Sequence, residues 1–248
     1  MPRIGVVTVT SVGSGIFQNE LVFQSTDRDP SGAHPEFVAF AASFDRYKTS
    51  VEQKDWDGMA DIILESINVL EAAGANFAVI PSNTPHYGFA RIVERSPLPV
   101  LNLIEITADH CKQNGYEKVA VLGTQATMQG GLYDDKLKSR DIEAVIPDDE
   151  LCRKINALIM DHIIPGRPNP VLQEEVRKGI QDLDCEAVIL GCTELPEVFS
   201  SENLGKPAVD TTRLLAHKAL DYAAELAAKV AVEKKTNHAS SAIPGTAP

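Results

Sequence analysis

Short apolar runs rich in β-branched residues alternate along the chain with longer segments whose apolar positions recur at helical spacing. This alternation is typical of a parallel sheet flanked by helices. Most of the runs are apolar throughout, as strands buried on both faces are. We therefore predict an α/β fold with strands at residues 4–9, 37–42, 77–80, 100–103, 119–122, 142–146, 187–190 and 208–209.

Apolar stripes of helical period occupy several of the segments between these runs. The clearest stripe covers residues 57–73 and stops before a glycine, which is common just after a helix end. Similar stripes predict helices around 151–159 and 172–183, and a last helix over 212–232. Residues 234–248 are rich in Ser, Ala, Pro, Thr and Gly, and we predict that this tail is disordered.

Two segments of the chain resemble each other. Residues 78–84 and 187–193 each form an apolar strand that ends near a small nucleophilic residue followed by threonine. Any two α/β units share such strands, but the matched polar residues at the strand ends favour an internal repeat. We therefore predict two similar α/β lobes, with the final helix packing back on the first lobe. The predicted limits are 1–104 and 105–206 for the lobes and 207–233 for the segment of the final helix.

Composition and charge exclude several classes of protein. Of the 248 residues 44% are hydrophobic, and no segment approaches the roughly 20 apolar residues that span a membrane. The chain has 23 Lys and Arg against 35 Asp and Glu, and its formal charge of −12 opposes broad contact with nucleic acid. The four cysteines lack the spacing of a zinc site or a disulfide framework. No signal peptide precedes the first strand, so we expect a cytoplasmic protein.

Polar side chains follow two of the predicted strands, Ser82 in the first lobe and Cys192 in the second. In parallel α/β sheets ligands bind beyond the carboxyl ends of the strands, where helix N-termini attract anions. If the two lobes face one another, Ser82 and Cys192 approach a ligand from opposite sides, which is the geometry that a racemase requires. The neighbouring residues expected to bind the ligand's carboxylate are Asn83, Thr84 and Thr193.

The segments around these residues are familiar. Residues 81–86, Pro-Ser-Asn-Thr-Pro-His, resemble the first motif of aspartate racemases, usually Cys-Asn-Thr-x-His. Residues 191–196, Gly-Cys-Thr-Glu-Leu-Pro, match the second motif of the same enzymes. The chain thus resembles the aspartate/glutamate racemase family over nearly all of residues 34–222. It departs from the family at residues 8–13, where relatives have a Gly-Gly-Met-type loop that borders the cleft.

The resemblance implies catalysis without pyridoxal phosphate or a metal, and a homodimer. One thiolate removes the Cα proton, and a thiol opposite returns a proton to the other face. Cys192 suits this role because a free thiol has a pKa of about 8.5, whereas the Ser82 hydroxyl is a poor base without an adjacent one. Three explanations of Ser82 stay open: an engineered replacement of cysteine, a natural one-thiol racemase, or different chemistry.

Two further residues of the motifs have alternative roles. Glu194 orients or deprotonates Cys192, or it caps the helix that follows, since acidic residues favour the first turn of a helix. His86 follows the start of a helix in the first motif, where it packs or fixes the loop, and the alternative is a role in proton transfer.

Other candidates contact the substrate away from the reacting carbon. A dicarboxylate needs a cation for its distal carboxylate, and Arg46 and Arg167 lie in predicted loops near strand and helix ends. The alternative for each is an exposed, solvated arginine. Thr124 and Thr127 follow another strand and either line the cleft or cap a helix.

The sequence therefore predicts a cofactor-independent racemase or epimerase that acts on a small acidic amino acid, aspartate or glutamate. A second hypothesis is a cofactor-free decarboxylase or isomerase of the same superfamily that uses a single thiol. A third is a binding protein that kept the fold but lost turnover.

Overall fold

The computed structural model describes residues 2–29, 31 and 33–241. It consists of two parallel sheets flanked by helices, which confirms the predicted α/β class. The strands of the described residues are β1 Ile4–Thr8, β2 Phe37–Ala41, β3 Phe77–Val79, β4 Lys118–Leu122, β5 Glu143–Val145, β6 Ala187–Leu190 and β7 Ala208–Asp210.

The helices lie between the strands and on both faces of each sheet. Short 3-10 turns cover Thr84–Gly88 and Leu195–Glu197, and a π-helical turn covers Leu158–Ile163. The α-helices are α1 Ser11–Arg28, α2 Phe44–Gln53, α3 Trp56–Ala72, α4 Phe89–Arg95, α5 Leu103–Gln113, α6 Gln125–Gln129, α7 Asp134–Lys138, α8 Asp149–Ala157, α9 Pro170–Gln181, α10 Ser201–Leu204 and α11 Thr211–Ser241.

The two sheets repeat one topology. The first has the order β2-β1-β3 and the second the order β5-β4-β6-β7, with all neighbouring strands parallel. A single bridge between Ala78 and Val100 continues the first sheet beyond β3, in the position that β7 holds beyond β6. The lobes are thus pseudo-symmetric, and β3 and β6, which lead to Ser82 and Cys192, are equivalent strands.

The predicted strand at residues 100–103 is wrong beyond Val100. Asn102 caps α5 instead, because its Oδ1 accepts hydrogen bonds from the backbone N–H groups of Ile104 and Glu105 at 3.0 and 3.2 Å. The cap starts a helix at Leu103, so the chain turns away from the sheet after one bridge.

Each sheet is covered by apolar side chains on both faces. In the first lobe, Phe17 of α1 and Leu215 of α11 pack against one face, while Ile63 of α3 packs against the other. The sequence gives only a weak signal for α1, because small residues such as Gly13 and Ser25 occupy part of its buried side. In the second lobe, α8 and α9 cover one face, and α5 and α7 cover the other.

The final helix α11 continues to Ser241, beyond the predicted helix end at 232 and into the predicted tail. The extension begins with Glu233, Lys234 and Lys235, which have high helix propensity. Residues 242–248 of the predicted tail lie outside the described residues. Among the helices of the described chain, none combines the length and the apolar composition needed to cross a membrane.

The carboxyl ends of four strands deliver the polar residues of interest. Thr10 follows β1, Ser82 follows β3, Thr124 follows β4 and Cys192 follows β6. The ends of β4 and β6 approach closely, because a Cβ at Gly191 would lie 2.7 Å from the Leu122 carbonyl oxygen. The absence of a side chain at 191 therefore lets the second motif sit against the end of β4.

Candidate active site

A cavity of about 660 Å³ lies at these strand ends and is lined by residues of both lobes. This volume falls within the range of about 300–1,000 Å³ that is common for small-molecule sites. The predicted site residues that line the cavity are Ser82, Asn83, Thr84, Thr124, Thr127, Cys192, Thr193 and Glu194.

Cys192 is paired with a carboxylate. Its Sγ donates a hydrogen bond to Oε2 of Glu194 at 3.0 Å, and both side chains are buried. Burial and the negative charge of Glu194 raise the pKa of the Cys192 thiol well above its usual range. The thiol is therefore protonated at neutral pH, and the Glu194 carboxylate is the acceptor positioned to take its proton.

Glu194 accepts two further hydrogen bonds. The Thr193 hydroxyl donates to Oε2 at 2.7 Å, and the Thr10 hydroxyl donates to Oε1 at 2.8 Å. The Glu194 side chain makes no capping bond to the 3-10 turn that follows it. The structure thus holds Glu194 as a buried carboxylate beside Cys192 and not as a helix cap.

Thr10 is a residue of this site that the sequence reasoning missed. It caps α1, lines the cavity, and lies within residues 8–13, the segment expected to border the cleft. Gly13 of the same segment packs against Thr193, because a Cβ at Gly13 would lie 2.2 Å from Thr193 Oγ1. A capping threonine directly after a parallel strand was the available signal, since that position borders the ligand-binding edge of a sheet.

Ser82 borders the same cavity without a base beside it. Its side chain is half-buried, and no hydrogen bond to its hydroxyl occurs among the described residues. The backbone carbonyl of Ser82 accepts a hydrogen bond from Nδ1 of His86 at 3.0 Å. The hydroxyl is thus free to face a ligand, but it lacks the adjacent proton acceptor that would make it a strong base.

His86 holds the first motif in place. While Nδ1 donates to the Ser82 carbonyl, Nε2 accepts a hydrogen bond from the Leu103 backbone N–H at 3.1 Å. Burial lowers the pKa of His86 from 6.5 to about 4, so the ring is neutral at physiological pH. Because both ring nitrogens are occupied by backbone groups, His86 fixes the loop and is not available as a base for Ser82.

Asn83 connects the two lobes. Its Nδ2 donates to Thr211 Oγ1 at 3.2 Å, and its Oδ1 accepts from the Tyr133 hydroxyl at 2.5 Å. Thr211 in turn donates to the Leu190 carbonyl at the end of β6 at 3.0 Å. Asn83 therefore positions the first motif against the second, and the second proton of its amide is left for a ligand.

Thr124 is a helix cap, and both Thr124 and Thr127 line the cavity. Thr124 Oγ1 accepts a hydrogen bond from the Thr127 backbone N–H at 3.5 Å as the cap of α6, and the two hydroxyls lie 3.2 Å apart. Helix capping and a place at the ligand site are thus compatible here.

The two predicted arginines lie away from the cavity. Arg46 lies in α2, not in the predicted loop, and its guanidinium forms two hydrogen bonds with the Glu65 carboxylate, at 2.7 and 3.0 Å. The helical phase that buries Tyr47 turns Arg46 towards α3, which carries Glu65. Arg167 lies in the segment after the π-helical turn and is not among the residues lining the cavity. Lys48 and Lys54, both exposed, are cations that line it.

Comparison with known proteins identifies relatives. The sequence pattern of the family described as Asp/Glu/Hydantoin racemase matches residues 4–219. RacX, a broad specificity amino-acid racemase of Bacillus subtilis (strain 168), is 28% identical over 168 residues, which are 65% of this chain and 71% of that protein.

Solved structures share the fold. An aspartate racemase homologue from Pyrococcus horikoshii OT3 superposes with a TM-score of 0.77 and 25% identity, covering 90% of this chain and 100% of that one. The aspartate racemase of Picrophilus torridus gives a TM-score of 0.73 and 25% identity, covering 90% of this chain and 95% of that one.

Proposed function

Since the chain belongs to the Asp/Glu/hydantoin racemase family, we propose that it is an amino-acid racemase that works without a cofactor and exchanges the proton on Cα through Cys192. The observation that carries this proposal is the hydrogen bond between Cys192 and the buried Glu194, in a cavity that Ser82 also lines. A thiol beside a carboxylate supplies a base where a substrate carbon can reach it.

The proposed reaction has two proton transfers. The Cys192 proton passes to Glu194, and the resulting thiolate removes the proton from Cα, which leaves a carbanion and a thiol. A proton from the Ser82 hydroxyl, replaced from water, then adds to the opposite face of Cα. Glu194 releases its proton to solvent, so the net reaction inverts the carbon and consumes nothing.

The carbanion needs donors around the α-carboxylate, because a Cα–H beside a carboxylate is very weakly acidic. We assign this role to the hydroxyls of Thr84 and Thr193, together with the free amide proton of Asn83. The Thr193 hydroxyl donates to Glu194, so its assigned role requires that it share this proton with the substrate carboxylate or turn towards it. Thr124 and Thr127 add hydroxyls to the lining of the cavity.

The proposal covers amino acids as a class. The two motifs favour aspartate and glutamate, so these are the first substrates to be tested. A homodimer and a cytoplasmic location remain parts of the proposal. Size-exclusion chromatography with light scattering tests the dimer, and fractionation of the source cells tests the location.

Deuterium exchange tests the function. The protein is incubated in D2O with the L- and D-forms of a panel of amino acids, and the Cα hydrogen is followed by NMR. We expect exchange with at least one amino acid, its loss in Cys192→Ala, and its retention in Cys185→Ala, a matched control because Cys185 is half-buried and does not line the cavity. Exchange that survives in Cys192→Ala, or no exchange with any amino acid, would overturn the proposal.

A single-thiol decarboxylase or isomerase is the second candidate. It is favoured by one observation, that Cys192 is the thiol lining the cavity while Cys111 and Cys152 are buried in the lobe cores. One thiol is enough to protonate one face of a carbanion left by carbon dioxide. Release of carbon dioxide from substituted malonates, without Cα exchange on amino acids, supports this candidate. Tight binding of amino acids without either reaction identifies a binding protein.

A further inference from the structure

We infer that the substrate carries a bulky uncharged side chain, aromatic or long aliphatic, and not the second carboxylate of aspartate or glutamate. This inference rests on the proposed function and concerns the part of the cavity beyond the two motifs. The cavity of about 660 Å³ is large for aspartate, one of the smaller amino acids, and leaves space for a long side chain.

The wall of this space is mainly apolar and is built by α2 and α3 of the first lobe. Tyr47 and Met59 are almost fully buried and form part of this wall, while Phe44 lies half-exposed nearer the solvent. Met59 adds a flexible side chain that adapts to ligands of different shape. From the second lobe, Met160 and Ile164 add apolar side chains to the lining of the cavity.

An aromatic pair forms part of this wall. Trp56 and Tyr87 stack with ring centroids 4.3 Å apart and planes inclined by 19°. The Tyr87 hydroxyl donates to the Ala126 carbonyl of the second lobe at 2.7 Å, which fixes the ring across the cleft. A Cβ at Gly88 would lie 2.7 Å from the Trp56 carbonyl oxygen, so the 3-10 turn Thr84–Gly88 packs closely against α3. Both rings are thus held by contacts within the protein, and an apolar surface held in this way lowers the entropic cost of binding an apolar group.

The charges around the cavity disfavour a second carboxylate. Arg46 pairs with Glu65 and is not among the residues that line the cavity. Glu194, which does line the cavity, places a negative charge beside Cys192. The two lysines that line the cavity, Lys48 and Lys54, are exposed. Nζ of Lys48 lies 3.8 Å from Oε1 of Glu52, a residue that also lines the cavity. Within the described lining residues, a carboxylate pushed against Tyr47 or Met59 meets no buried cation, and an unpaired buried charge is strongly unfavourable.

Substrate preference tests the inference. The value of kcat/KM for Cα exchange is measured in D2O for phenylalanine, methionine and leucine, and for aspartate and glutamate. We expect at least one neutral amino acid to exceed both acidic ones by tenfold or more. A higher value for aspartate or glutamate overturns the inference but leaves the racemase proposal standing, whereas no exchange with any amino acid overturns both.

Two variants connect the preference to the wall. Trp56→Ala removes the outer face of the aromatic stack, so we expect a loss of tenfold or more in kcat/KM for phenylalanine, mainly through KM. Alanine as substrate is the control for folding, because its methyl group offers little apolar surface to the wall, and its exchange should persist. Arg46→Ala is the matched variant outside the cavity. It should leave unchanged the ratio of kcat/KM for neutral amino acids to kcat/KM for acidic ones. Loss of exchange with aspartate alone in Arg46→Ala would contradict the inference.

Discussion

The hydroxyl of Thr10 donates a hydrogen bond to Oε1 of Glu194 at 2.8 Å, from the end of β1 in one lobe to the end of β6 in the other. This contact leaves Oε2 of Glu194 to accept from Cys192. The position of the carboxylate beside the thiol thus depends on a loop of the opposite lobe. A hydrogen bond to a charged group is worth about 1.5–3 kcal/mol, enough to affect the population of the paired arrangement.

Thr10→Val removes the donor to Glu194, and with it the side-chain cap of α1, but keeps the shape of the side chain. We expect kcat for Cα exchange to fall by about tenfold, which corresponds to about 1.4 kcal/mol, with little change in KM because Thr10 acts through Glu194. Thr8→Val is a matched control, since Thr8 lies at the end of the same strand and does not line the cavity. Equal losses in the two variants would show that strand stability, and not the bond to Glu194, sets the rate.

Glu194→Gln separates thiol acidity from catalysis. Because the charge of Glu194 helps to raise the pKa of Cys192, its removal should lower that pKa towards the usual range, although burial still holds it up. The pH midpoint of alkylation of Cys192 by iodoacetamide, followed by mass spectrometry, should move to lower pH. Exchange activity should fall by about tenfold or more, since the acceptor of the thiol proton is lost.

The control for this experiment is Glu52→Gln, which removes a carboxylate from the exposed rim of the cavity. It should leave the midpoint for Cys192 unchanged. An unchanged or higher midpoint in Glu194→Gln would mean that the charge of Glu194 does not act on the thiol.

The sequence identifies the residues that each motif carries, but not the contacts made between distant segments. Ser82 and Cys192 follow equivalent strands, so strand pattern and strand ends are enough to predict that they share one edge of the fold. The bond from Thr10 to Glu194 joins residues 184 positions apart, and only the packing of the lobes creates it. Arg46 is only one of two candidate cations in the sequence, with an exposed arginine as the alternative, and its pairing with Glu65 on another helix matches that alternative.

Gly13→Ala should disrupt the second motif through sterics alone. A Cβ at this position would lie 2.2 Å from Thr193 Oγ1 and 2.3 Å from its Cβ, so either α1 or Thr193 must move. We expect exchange activity to fall by tenfold or more and the free energy of unfolding to fall by about 1–3 kcal/mol, as for overpacking of a core. Activity and denaturant midpoint measure the two effects.

Gly15→Ala is the matched control within the same helix, because a Cβ there meets nothing within 4 Å. It should keep full activity and raise stability by up to about 1 kcal/mol, since alanine is the better helix former. If Gly13→Ala behaved like Gly15→Ala, the packing of α1 against Thr193 would not matter for the site.

Ser82→Cys should increase the rate of racemisation of the enantiomer that reacts more slowly, for which the residue at position 82 must act as the base. A thiol, with a reference pKa of about 8.5, forms a base far more readily than the unpartnered Ser82 hydroxyl. We expect a gain of about tenfold, measured by circular dichroism from each enantiomer in separate assays. Ser139→Cys, remote from the cavity, controls for an added thiol, and Ser82→Ala should be slower than the wild type in the same direction. A Ser82→Ala variant as fast as the wild type would exclude proton transfer at this position.

His86 should make stability depend on pH in the acidic range. Its pKa is about 4 in the folded protein and about 6.5 in the unfolded chain, so below pH 6.5 the unfolded state binds the proton first. The contribution of neutral His86 is therefore fully present above pH 6.5 and is lost as the pH falls to about 4. The size of the loss is about 3 kcal/mol, at 1.36 kcal/mol for each pH unit.

Urea denaturation at several pH values measures this dependence. His86→Gln should be less stable at pH 7, because the Leu103 N–H loses its acceptor, but its free energy of unfolding should fall less steeply between about pH 6.5 and pH 4. His34→Gln, at an exposed histidine, is the matched control and should keep the slope of the wild type. Parallel slopes in the wild type and His86→Gln would mean that protonation of His86 does not drive acid unfolding, and that carboxylates account for it.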